Sequence, residues 1–171
     1  GSAAAQAARN REPYDLRELR VLNRAISEVN DSYVDPDRIR HRDMLLGGLD
    51  AIQRSVAPVL VDYTEGAPTL TVQVNDQRRE FHVDDVNAPW ALANRFRDIF
   101  EFLQENLAGE DIELREIEYA AVYGMLRTLD PHSVLLTPDV YEEMQMSTRG
   151  EFGGLGIVIS IRDGALTIVR P

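Results

Sequence analysis

Leu19, Leu22, Ile26, Val29 and Tyr33 recur at intervals of three and four residues, with Arg17, Arg20, Glu28 and Asp31 off the stripe. That spacing predicts an amphipathic helix opening at Pro13-Tyr14-Asp15-Leu16. So regular a stripe must be buried, either within the chain or between two subunits. Leu19, Leu22, Ile26 and Val29 are the candidate contact residues in the second case. Asp35-Pro36 has the form of an N-cap followed by proline at the first helical position. It predicts a second helix through Ile39, Leu45, Leu46, Leu49, Ile52 and Val56, stopped near Pro58. Gly47-Gly48 weakens helix propensity in its middle and leaves room for a second helix to approach closely. Gly124 sits in a similar apolar run, Ala121-Val122-Tyr123-Gly124-Met125-Leu126.

The period then changes. Val59-Leu60-Val61 reads as a short strand and Glu65-Gly66-Ala67-Pro68 as a turn. Leu70, Val72 and Val74 alternate with polar residues, and after Asn75-Asp76-Gln77 so do Arg79, Phe81 and Val83. This is a hairpin with one apolar face, which needs a helix to cover it because a lone hairpin is marginal. Asn87-Ala88-Pro89 opens a third helix with Leu92, Phe96, Ile99, Leu103 and Leu107 on one stripe, broadened by Phe100 and Phe102. Trp90 at its start reads as core or a hydrophobic staple. Gly109 ends it. Asp111 is placed to cap a fourth helix with Leu114, Ile117, Ala121, Met125 and Leu129 as its buried row, stopped by Asp130-Pro131. A short helix is expected from Thr137-Pro138 to about Met146.

Glycines at 150, 153, 154 and 156 then precede two strands, Ile157–Ile161 and Leu166–Val169, joined by a turn at Arg162-Asp163-Gly164-Ala165. A glycine loop feeding an exposed strand suits capture of a peptide C-terminus by β-augmentation, with loop amides closing on the carboxylate. The same glycines suit a bulged corner of a small sheet. Two strands cannot close a sheet domain, so the chain is expected to stop inside one. At the other end, Gly1-Ser2 has the form of a tag-cleavage scar, and residues 1–12 are expected to be disordered.

A formal charge of −11, from 18 basic and 29 acidic residues, argues against nucleic acid or an anionic membrane surface as partner. Cysteine is absent, which removes disulfides, a thiol nucleophile and cysteine metal sites. His82 has no second histidine at ligand spacing, so no metal or other cofactor is expected. No apolar run reaches the ~18 residues of a membrane span. Asp130, His132 and Ser133 gather the residue types of a hydrolytic triad, but neighbours at a helix end rarely face one another. Asp130 and Ser133 are instead expected to bond to backbone amides around the turn. Glu113, Glu116, Glu118 and Glu142-Glu143 read as solvated helix faces.

The segments Met125-Leu126-Arg127-Thr128-Leu129-Asp130-Pro131-His132-Ser133, Leu135-Leu136-Thr137-Pro138 and Thr148–Ile157, with its Phe152-Gly153-Gly154-Leu155-Gly156-Ile157, resemble the carboxyl-terminal processing peptidases, or tail-specific proteases. The match spans roughly residues 117–171, with a looser echo at Tyr33-Val34-Asp35. It leaves out 57–110, which reads as a lineage-specific insertion. The resemblance implies a mainly α-helical N-terminal domain with an inserted β-hairpin (13–146), followed by the first strands of a truncated PDZ domain (147–171). It implies that Gly154, Leu155, Gly156 and Ile157 bind a peptide carboxylate. It further implies a homodimer, and a periplasmic or cell-envelope location for a protein whose export signal has been removed. The family's catalysis uses a serine nucleophile with a lysine base, both in a domain beyond residue 171. This chain has no lysine, since all 18 basic residues are arginine, and arginine stays protonated and cannot serve as that base. The expectation is therefore a non-catalytic region for assembly and substrate engagement. A non-enzymatic oligomerisation or adaptor module derived from such a peptidase is the alternative.

Overall fold

A computed structural model of the chain describes residues 13–131, 133–136, 158–162 and 165–169. Among them are four α-helices: α1 Leu22–Ser32, α2 His41–Ser55, α3 Pro89–Asn106 and α4 Leu114–Arg127. There are two three-stranded sheets. The first comprises β1 Val59–Asp62, β2 Thr69–Val74 and β3 Gln77–His82, the second β4 Val134–Leu136, β5 Val158–Arg162 and β6 Ala165–Val169.

The first sheet is antiparallel throughout, with Val59 opposite Val74 and Leu70 opposite Phe81. The expected hairpin is there, and β1 adds a third strand to it. The turn falls on Asn75-Asp76, where Asn75 takes a φ of 52° that asparagine tolerates better than most residues. Leu70, Val72, Val74 and Phe81 are all buried, and the Phe81 ring meets Phe102 of α3 edge-on at 6.0 Å. The insertion thus shares one apolar core with the helices.

Helices α2 and α4 make the closest contact. Gly47, Gly48 and Gly124 lie at their crossing, where a β-carbon added to Gly124 would stand 2.2 Å from the Gly47 carbonyl oxygen. The glycines noted in both runs pack against each other.

Three helix starts differ from expectation. The first helix does not run from Pro13. Leu16–Glu18 is a 3-10 turn, Leu19 takes a left-handed φ of 48°, and α1 begins at Leu22. The Asp35 side chain caps nothing and pairs instead with Arg38 (3.3 Å), so Pro36–Arg38 is a 3-10 turn and α2 begins at His41. Asp111 does not cap α4 either, whose N-cap is Glu113. Trp90 is not core: it is 69% exposed, because the buried face of that first turn is carried by Ala91 and Leu92.

Leu19, Leu22, Ile26 and Val29 are buried inside the chain's own core. A dimer using them as contacts would have to exchange the α1 segment between copies, since their surface is already covered.

Candidate functional site at the seam of helices and second sheet

Helix α1 ends on Tyr33, whose amide bonds to the Val29 carbonyl (3.0 Å) and whose backbone turns extended. Helix α4 ends at Arg127 with 3-10-type bonds, Thr128 N to Met125 O and Leu129 N to Leu126 O. The next residue, Asp130, is 7% exposed. Its Oδ2 accepts the Tyr33 hydroxyl at 2.5 Å and the Ser133 hydroxyl at 2.9 Å, and Ser133 itself is fully buried. Arg38 braces the same corner, donating to the Leu129 carbonyl at 3.4 Å while paired with Asp35. Two stretches some 97 positions apart thereby meet on one carboxylate.

Asp130 and Ser133 bond around this turn, and their side chains also bond each other. The Asp130 carboxylate receives two hydroxyls, and around the same turn Ser133 N donates to Asp130 O at 3.4 Å. Buried carboxylates require donors of this kind. Sequence reading missed Tyr33 as a member of the cluster. The signal was its place in Tyr33-Val34-Asp35. His132 lies outside the described residues, as do Gly154, Leu155, Gly156 and Ile157 and the expected helix from Thr137 to about Met146.

β4 starts directly after Ser133 and pairs in parallel with β5, Val134 opposite Val158 and Leu136 opposite Ser160. β6 pairs antiparallel on the other side of β5. β5 is therefore the middle strand of its sheet, where an exposed strand was expected. β4 falls within the 13–146 stretch and yet belongs to the same sheet as strands of 147–171. Ile159 and Ser160 are fully buried, and Ile159 joins the main core.

A second buried carboxylate overturns the reading of Glu118 as solvated. Glu118 is fully buried; its Oε2 accepts the amides of Val21 and Leu22 at 2.7 Å each, and its Oε1 accepts the Tyr14 hydroxyl at 2.5 Å. It supplies from α4 the N-terminal cap that α1 lacks in its own sequence. Arg20 and Arg115 lie 5.4 and 5.3 Å from the Tyr14 ring centroid. The signal was its position: Glu118 is followed at helical spacing by the buried Val122, Met125 and Leu126.

Burial, and then the bond to Asp130, pushes the Tyr33 phenol up to about 12. Burial and Glu118 raise Tyr14, and burial raises Tyr119. Each of these is favoured neutral in the native state, whereas an unfolded tyrosine ionises near pH 10. From pH 10 to 12 the unfolded chain therefore holds fewer protons, and stability, fully present below pH 10, falls through that window. With no lysine and no cysteine, tyrosines are the side chains that titrate there. Thermal melts should show the midpoint falling above pH 10 and Tyr33→Phe flattening part of the decline. A midpoint flat from pH 9 to 12 would contradict these couplings.

A groove of about 580 Å³ also opens between α2 and α4, lined by Arg54, Ser55, Glu116, Tyr119 and Tyr123 among others. Arg54 is engaged with Asp50 at 2.7 Å. Among the described residues no three His, Asp or Glu side chains are grouped to hold a metal ion, and no helix is long and apolar enough to cross a membrane.

No family model matches the chain, and no solved structure matches it. Two curated proteins do. The chain is 39% identical over 77 residues to a carboxy-terminal-processing protease of Bartonella bacilliformis, covering 45% of this chain and 18% of that protein. It is 40% identical over 72 residues to a carboxyl-terminal-processing protease of Synechocystis sp., covering 40% of this chain and 17% of that protein. The chain thus spans less than a fifth of the length of either relative.

Proposed function

Because two curated relatives support assignment of this chain to the carboxyl-terminal processing peptidases, we infer that it is a non-catalytic region of such a serine endopeptidase. Its role is to organise the protein and engage substrate C-termini. Residues 13–146 form the helical part and 147–171 the opening of a PDZ domain. The whole protein would lie in the periplasm or cell envelope. The identity of about 40% to two processing proteases is the observation that carries this reading. The helical core leading through Leu129-Asp130-Pro131 into a sheet is in keeping with it.

In this reading Gly154, Leu155, Gly156 and Ile157 present successive amides to a terminal carboxylate. A PDZ domain needs a helix as the other wall of its groove, so residues 1–171 alone should show no measurable peptide affinity. Peptide ending in an apolar residue should bind once the gene product includes a complete sheet domain. Its C-terminally amidated twin should bind at least ~10-fold more weakly, on the scale of one lost charge-assisted contact. Gly156→Val should abolish binding by blocking the backbone approach, and Glu151→Gln should do little. Calorimetry that returned equal affinity for the two peptides would leave the glycine loop a structural corner. An open reading frame that continues into serine and lysine motifs distinguishes the peptidase from the adaptor module.

A further inference from the structure

Peptide capture by β-augmentation needs a strand with a free edge. Over residues 158–160 both edges of β5 are taken, by β6 on one side and β4 on the other. The two partners are not equal. β6 pairs antiparallel at five positions, from Val158 opposite Val169 to Arg162 opposite Ala165, and is the next strand in the chain after β5. β4 pairs in parallel at three positions, a geometry slightly less stable per residue. β4 is thus the partner that can yield. The residue before it is anchored, since Ser133 is bonded to Asp130, which also holds Tyr33 at the end of α1.

We propose that β4 is a resident strand on the edge of β5 at which a protein C-terminus pairs, and that the Tyr33–Asp130–Ser133 cluster is the clasp that keeps it there. The inference rests on the peptide-binding reading above and adds its regulation. An extended peptide with a free carboxylate then binds only the fraction of molecules in which β4 has left β5, and its apparent Kd is the intrinsic value divided by that fraction. Tyr33 and Ser133 act on binding through β4 and are positioning residues. Loosening the clasp should tighten binding, whereas loss of a purely structural bond would weaken it.

The chain contains no cysteine, so Val134→Cys with Val158→Cys, a facing Cα pair, can be introduced into the gene product that carries the complete sheet domain. Anisotropy with a labelled apolar-ended peptide then compares oxidised and reduced protein. The oxidised form, with β4 locked, should bind at least ~10-fold more weakly, and reduction should restore the parent affinity. Tyr33→Phe, which keeps the ring and removes one bond to a carboxylate, should tighten binding by roughly 3- to 10-fold. Equal affinity of oxidised and reduced protein would overturn the clasp while leaving the peptide site standing. So would a Tyr33→Phe variant that binds no better than the parent. Absence of carboxylate-dependent binding in the reduced protein would overturn the peptide site and the clasp together.

Discussion

Gly124→Ala should destabilise the protein by about 3 kcal/mol, at the upper end of what overpacking a tight contact costs, and Gly124→Val should leave it largely unfolded. Intrinsic propensity argues the other way, since alanine favours a helix interior over glycine by ~1 kcal/mol. The sign of the result therefore decides between backbone preference and contact. The contact is the stronger term. A β-carbon at Gly124 would stand 2.2 Å from the Gly47 carbonyl oxygen and 2.7 Å from the Ala51 β-carbon. Neither neighbour is the free end of a flexible side chain, so relief would require α2 and α4 to move apart. That movement would disturb Gly48, where an added β-carbon already meets the Phe96 ring at 2.8 Å and the Ala121 carbonyl oxygen at 2.9 Å. Urea denaturation of Gly124→Ala measures the effect. A variant as stable as the parent would mean that the helices do not cross this closely.

That crossing was legible in the sequence because glycine inside an apolar helical run has few other uses. The hairpin and α3 were legible for a similar reason: their periods of two and 3.6 residues are local properties. The helix starts were not. Asp35 and Asp111 have the residue type of a cap, but capping depends on where the preceding chain is held, and α1 receives its cap from Glu118, 97 residues from Val21. The site shows the same division. Leu129-Asp130-Pro131 marks a helix end that a reader can find. The bond from Ser133 to Asp130 is local, three residues apart, but that Asp130 also gathers Tyr33 depends on a tertiary contact that no window of sequence contains. Pairing of β5 on both edges is a fact of topology, and β4 is too short to carry a period of its own.

The same long-range dependence makes Glu118 the side chain whose truncation should cost most. Glu118→Ala is expected to lower stability by about 3–4 kcal/mol, the range for leaving buried partners of a charged group unsatisfied. Three donors lose their acceptor at once: the amides of Val21 and Leu22 and the hydroxyl of Tyr14. The two amides open α1, where a negative charge also meets the favourable end of the helix dipole. The Tyr14 bond ties the segment before Leu16 to α4. Glu118→Gln keeps the shape and one acceptor oxygen but gives up the charge, and should cost about 1–2 kcal/mol. Tyr14→Phe removes a single donor and should cost less than either. Because Tyr14 and Glu118 share a bond, the double variant Tyr14→Phe/Glu118→Ala should be less destabilised than the sum of its parts by at least ~0.5 kcal/mol. Urea denaturation of the four proteins completes the cycle. Additive costs, or a Glu118→Ala variant within ~1 kcal/mol of the parent, would mean that Glu118 does not cap α1. The start of that helix would then have to be held by its apolar stripe alone.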